Sequence, residues 1–127
     1  MAQNKKKLLN LFYIFLATHL VLWTVVPSIV NQNLPLDTIE ALAWGSNLDW
    51  GFNKHPPLSA FFTEVFFIIF GSQDWAYYLL SQIFLIISFY FVFKLSNEIL
   101  GNLKLSFISV ILLEGIFFYN FTTPEFN

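Results

Sequence analysis

Residues 8–30 run without a single Asp, Glu, Lys or Arg, directly after Lys5, Lys6 and Lys7. As a helix rising about 1.5 Å per residue, such a run is long enough to cross roughly 30 Å of hydrocarbon. A chain that contains it must either enclose it in a large core or place it in lipid. The rest of the composition selects lipid. The 127 residues are 57% hydrophobic and 11% charged, with a mean hydropathy of +0.64, whereas a soluble domain carries about 25% charged residues. Seventeen Phe and four Trp are more than one small water-soluble core can enclose. The expected fold class is therefore all-α integral membrane. A cleaved secretory signal is the alternative for residues 8–30. The run exceeds the roughly 7–15 apolar residues of such signals, and no small-residue cleavage site follows it.

Further spans are expected over residues 75–93, after Asp74, and 105–121, after Lys104. Residues 58–70, between Pro56-Pro57 and Gly71, would reach only about 20 Å as a helix, short of an untilted crossing. They also contain Glu64. Lysine placement chooses between a crossing and a surface helix. If residues 58–70 lie along the surface, Lys5–Lys7, Lys94 and Lys104 all face the cytoplasm and only Lys54 lies outside, as the positive-inside rule favours. The expected architecture is three transmembrane helices (8–30, 75–93, 105–121) and two extracytoplasmic juxtamembrane helices (36–48 and 58–70), with a cytoplasmic N-terminus. The polar stretch around residues 34–58 and the segment YNFTTPEFN then share the extracytoplasmic face. Residues 1–127 read as a single membrane domain, the front portion of a larger polytopic architecture.

The ionisable groups narrow the function. All six basic residues are Lys, so the bidentate Arg fork is absent. No basic face interleaved with aromatics is present, which leaves nucleic-acid binding unsupported. The absence of Cys excludes disulfides and thiolate metal sites. Polar chemistry gathers between Leu34 and Phe62. After Pro35, suited to a helix start, the apolar Leu36, Ile39, Leu42 and Ala43 recur at helical spacing, and Asp37, Glu40 and Trp44 fall on another face. This describes an amphipathic interfacial helix with its carboxylates turned from lipid. Asp37 and Glu40, three apart, can act as a general base and its partner, or bind a divalent cation. Equally, Asp-x-x-Glu is an N-cap followed by a capping-box glutamate. Beyond it, Asn53-Lys54-His55-Pro56-Pro57 holds Lys54 and His55 on a stiff, extended backbone. They can grip a phosphate, or form an interfacial turn with a snorkelling Lys.

Other residues carry weaker expectations. Glu114 falls near the middle of the third span, where protonation or a hydrogen bond to another helix lowers its cost, and His19 is a candidate partner. Glu64 is expected on a solvated face of the short helix. Asn120-Phe121-Thr122 fits the short glycosylation acceptor pattern. Trp75, Tyr77 and Tyr78 read as interfacial anchors.

The order D-T-I-E-A-L-A-W-G, W-G-F-N-K-H-P-P-L and a short helix ending in F-G resembles membrane glycosyltransferases of the GT-C fold that use polyprenyl-phosphate sugars. That family includes protein O-mannosyltransferases and the enzymes that add aminoarabinose or galacturonic acid to lipid A. The resemblance implies transfer of a sugar from a polyprenyl-phosphate donor to a lipid or protein acceptor at the extracytoplasmic face, in a multi-pass protein of the bacterial inner membrane. By it, Asp37 matches the first-loop acidic residue, Lys54 and His55 match the donor-phosphate residues, and Glu125 is placed like the acidic residue of the next extracytoplasmic loop. Glu40 joins Asp37 as a catalytic candidate; a metal requirement is left undefined. Two departures stand out: the chain has no Arg where the family commonly grips phosphate with one, and members are several times longer. A non-catalytic membrane protein that assembles with partners or helps pass a substrate is the rival expectation, with Asp37 as a cap and Glu114 as an interhelical contact.

Overall fold

The computed structural model describes residues 2–47, 49–52, 54 and 56–126. Among these the chain forms five α-helices and one 3-10 turn, with no strand, as expected of an all-α membrane protein. Helix α1 spans Ala2–Val30 and α4 spans Asp74–Leu100; both are long and apolar enough to cross a membrane. They contain the expected spans 8–30 and 75–93 and continue past them into lysine-bearing turns.

Helix α4 ends at Gly101, whose φ of 61° is the left-handed conformation that stops a helix, and its N–H donates to Asn97 O at 3.0 Å. The next residue, Asn102, caps α5 (Leu103–Glu114) by accepting from the Lys104 and Leu105 N–H groups at 3.0 and 3.3 Å. A stop signal and a start signal in adjacent residues thus make the α4–α5 hairpin. Helix α1 runs antiparallel to α4. Phe12 stacks on Phe93 with ring centroids 4.0 Å apart, His19 meets Phe89, and Asn31 Nδ2 donates to the Tyr78 hydroxyl at 3.1 Å. Phe12, Leu16, Leu85, Phe89, Phe93 and Val110 form the core where α1, α4 and α5 meet.

The third apolar segment departs from expectation. Helix α5 is 12 residues, about 18 Å at 1.5 Å per residue, and stops well short of Phe121. Past Glu114 the chain turns through Gly115 into a 3-10 turn at Phe117–Tyr119. The Asn120 side chain donates to the Glu114 and Ile116 carbonyls, so a side-chain amide supplies bonds that a continuing helix would have made with backbone N–H groups.

Helices α2 (Leu36–Gly45) and α3 (Pro57–Phe70) pair with each other, and α3 packs on α4. Their contact is made by small side chains: Thr38, Ala41 and Gly45 of α2 against Ser59, Ala60 and Thr63 of α3 are the buried residues of each. Small residues let two backbones approach closely. At Gly45 the approach is so close that an added Cβ would lie 2.8 Å from Ala60 O. The apolar Leu36 and Ile39 stay exposed on the other side of α2. Helix α2 closes at Gly45 rather than residue 48; Leu48 itself lies outside the described residues.

Tyr77 and Tyr78 correct the expectation of interfacial anchors. Both are fully buried. Tyr77 donates to Gly71 O at 2.7 Å, and Tyr78 donates to Asn33 O at 3.4 Å while accepting from Asn31. Their hydroxyls satisfy loop backbone and side-chain groups where the α1–α2 and α3–α4 connections meet the start of α4. Only Trp75 retains substantial exposure.

Candidate active site

The polar face of α2 exists as read from its spacing, but its start is built differently. Pro35 occupies the N-cap position and makes no side-chain cap bond; Ile39 N–H donates to Pro35 O at 3.1 Å. Asp37 lies one residue inside the helix, so the Asp-x-x-Glu capping box does not form. The cap comes instead from a distant segment. The Asp37 N–H donates to Glu125 Oε1 at 3.2 Å, across 88 positions of sequence. One residue on, the Phe126 N–H donates to Thr38 Oγ1 at 3.0 Å and that hydroxyl donates to Phe126 O at 3.3 Å. A carboxylate at this position also meets the positive end of the α2 dipole.

Glu40, one turn beyond Asp37, receives Lys54. The Lys54 ammonium donates to Glu40 Oε1 and Oε2 at 3.0 and 2.9 Å. The loop is steered there by Phe52, which stacks on Trp44 of the same α2 face at 5.3 Å. Hydrogen bonding to Glu40 raises the Lys54 pKa above the usual lysine value, and the charges of Glu40 and Asp37 add to it. The Lys54 side chain stays 56% exposed. His55, its expected companion, lies outside the described residues.

Asp37, Glu40, Lys54 and Glu125, four of the five candidate residues, therefore come together around the first turns of α2. Glu125 also lines a cavity of about 540 Å³ between α3, α4 and the 118–126 segment, with Ser59, Phe62, Ser81, Phe84 and Phe126 among its walls. A carboxylate base, an exposed ammonium and an adjoining cavity of hydroxyl and aromatic groups suit proton abstraction beside an anionic leaving group. Among the described residues, no three His, Asp or Glu side chains converge closely enough to hold a metal ion. Thr38 and Thr123 are the contributors that sequence reading missed. Neither has a local signal, because each acts through a partner far away in the chain.

His19 Nδ1 lies 2.9 Å from Glu114 Oε2, the interhelical pairing anticipated for Glu114. Glu64 is half-buried beside Gly45 in the α2–α3 crossing rather than on an open face. Asn120 of the glycosylation pattern is buried with its amide engaged, which leaves no access for modification.

No curated protein and no solved structure matches the chain. A family model does, over residues 54–127, more than half of the sequence and including Lys54 and Glu125; its description is dolichyl-phosphate-mannose-protein mannosyltransferase. Asp37 and Glu40 precede the matched segment and join it through Glu125 and Lys54. Together with the all-helical apolar fold, this shows that the chain belongs to the dolichyl-phosphate-mannose-protein mannosyltransferase family, a family of membrane glycosyltransferases.

Proposed function

We propose that the cluster on α2 is the catalytic centre of an inverting transfer of a sugar from a polyprenyl-phosphate donor to a hydroxyl of a lipid or protein acceptor. Asp37 takes the proton of the acceptor hydroxyl as its oxygen forms the new bond to the anomeric carbon. The bond from that carbon to the phosphate oxygen breaks, and the polyprenyl phosphate leaves with the electron pair. Lys54, with His55 beside it in sequence, stabilises the departing charge. Glu40 holds Lys54 in place. Glu125 fixes the start of α2 and borders the cavity in which an acceptor would lie.

The observation that carries this reading is the meeting of Glu125 with Asp37 while Lys54 is tied to Glu40 one turn away. It gathers base and cation within one family fold. An extracytoplasmic location is supported by the opposite end of the molecule. There Lys5 and Lys104 border one cavity at the α4–α5 turn, as expected of a cytoplasmic end.

The test is Asp37→Asn in the full-length protein in membranes, assayed with a radiolabelled polyprenyl-phosphate sugar. Loss of a general base lowers transfer by about 10²–10⁴-fold. Asp49→Asn, in the exposed α2–α3 loop, retains activity. Normal transfer by Asp37→Asn removes Asp37 from the mechanism.

A further inference from the structure

Glu125 is placed by residues 115–126, and a buried polar chain runs from the middle of the bundle to that segment. It starts at His19, 3% exposed, whose Nδ1 faces the Glu114 carboxylate at 2.9 Å. His19 also faces Gln82, which is fully buried. Two atoms of this pair, His19 Nε2 and Gln82 Oε1, are buried without a hydrogen-bond partner. Each supplies what the other lacks.

Hydrogen-bond polarity fixes the rest. The Thr123 hydroxyl donates its one proton to Asn120 O at 2.9 Å, so it must accept from Gln82 Nε2 at 3.2 Å. That sets the amide orientation and leaves Oε1, an acceptor, for the His19 ring. Facing Oε1, the ring Nε2 carries a proton and donates to it, while Nδ1 meets the Glu114 carboxyl group. The chain then continues outward. Ser81 donates to Thr123 O, the Glu125 N–H donates to Thr122 O at 3.1 Å, and Phe126 locks onto Thr38.

We propose that His19, Gln82 and Thr123 are positioning residues: a hydrogen-bonded chain inside the bundle sets where residues 122–126 lie, and so where Glu125 meets Asp37. Its consequence for sugar transfer rests on the function proposed above; the positioning itself does not.

Amide hydrogen exchange in the full-length protein in nanodiscs reads the docking directly, because the Asp37 and Phe126 N–H groups bond to Glu125 and Thr38. Thr123→Val removes the hydroxyl at nearly constant volume, and Gln82→Met removes the amide. Each is expected to speed exchange at both amides by about tenfold, the size of effect that follows loss of a buried hydrogen bond. Thr123→Ser keeps the hydroxyl and leaves exchange unchanged. ¹⁵N-histidine spectra of the wild type are expected to show the His19 ring protonated at Nε2. Unchanged exchange in Thr123→Val overturns the proposal, as does equal acceleration in Thr123→Ser, or a His19 ring without a proton on Nε2. If Gln82→Met fails to fold, the two Thr123 variants decide. Sugar transfer is measured in parallel. Exchange behaving as described in a protein without transferase activity would sink the proposed function and leave the positioning chain standing.

Discussion

The Glu125 carboxylate accepts the backbone N–H of Asp37 at 3.2 Å, so a helix carrying the candidate base is capped by a residue 88 positions away. A local cap would have made α2 self-sufficient at its start. A remote one makes its first turn depend on the docking of residues 122–126, which couples the two acidic segments both mechanically and electrostatically.

Glu125→Ala should therefore loosen α2 without disturbing the α1–α4–α5 core. Loss of a cap and its charge at a helix N-terminus is expected to cost about 1 kcal/mol locally. Glu125→Gln keeps an acceptor oxygen and should restore most of it. Limited proteolysis between residues 34 and 56 measures the difference, with faster cleavage in the Ala variant.

Lys54→Met should raise KM for the polyprenyl-phosphate donor by roughly ten- to a hundredfold, the range of a lost charge-assisted hydrogen bond. Steady-state kinetics over a range of donor concentrations measures it. An unchanged KM would separate Lys54 from donor binding.

The Lys54–Glu40 pair also sets a pH dependence. Glu40 raises the Lys54 pKa above the ordinary lysine value, so the pairing is fully present below that ordinary value and is lost only as pH rises through the raised one. Glu40→Gln withdraws the hydrogen bond to the carboxylate and its charge. The alkaline limb of the pH–rate profile should then move to lower pH.

Gly45→Ala tests the close crossing of α2 and α3. The new Cβ would meet Ala60 O at 2.8 Å and the Glu64 side chain just beyond. Overpacking of this kind costs about 1–3 kcal/mol, read as a lower unfolding temperature of the detergent-solubilised protein. Gly51→Ala is the control, since nothing lies within 4 Å of an added Cβ there.

Sidedness can be mapped because the chain has no cysteine of its own. Single cysteines at the exposed Ser46 and Ser72 should react with an impermeant maleimide from outside, and cysteines at Gln3 and Glu98 should not. Reaction of Glu98→Cys from outside would place the α4–α5 turn on the same face as the acidic cluster and dismantle the proposed site.

Much of this protein was legible in its residues taken in order. Charge-free apolar runs identify α1 and α4, because hydrocarbon tolerates little else. Helical spacing placed Asp37, Glu40 and Trp44 on one face, and Lys54 and Phe52 do land there. Tertiary structure decided what depends on partners distant in sequence. Apolarity alone extended the third span to Phe121; the Asn120 side chain, bonded back to Glu114 and Ile116, ended its helix early. Local pattern allowed Asp37 to be either a cap or a chemical group; the arrival of Glu125 assigned the cap elsewhere. Tyr77 and Tyr78 had the composition of lipid-interface anchors, yet adjacent loops covered them and took their hydroxyls. The physical reason is common to all three. Backbone and hydroxyl groups shielded from water must find partners, and which partner each one finds is a property of the packed chain that neighbouring residues do not encode.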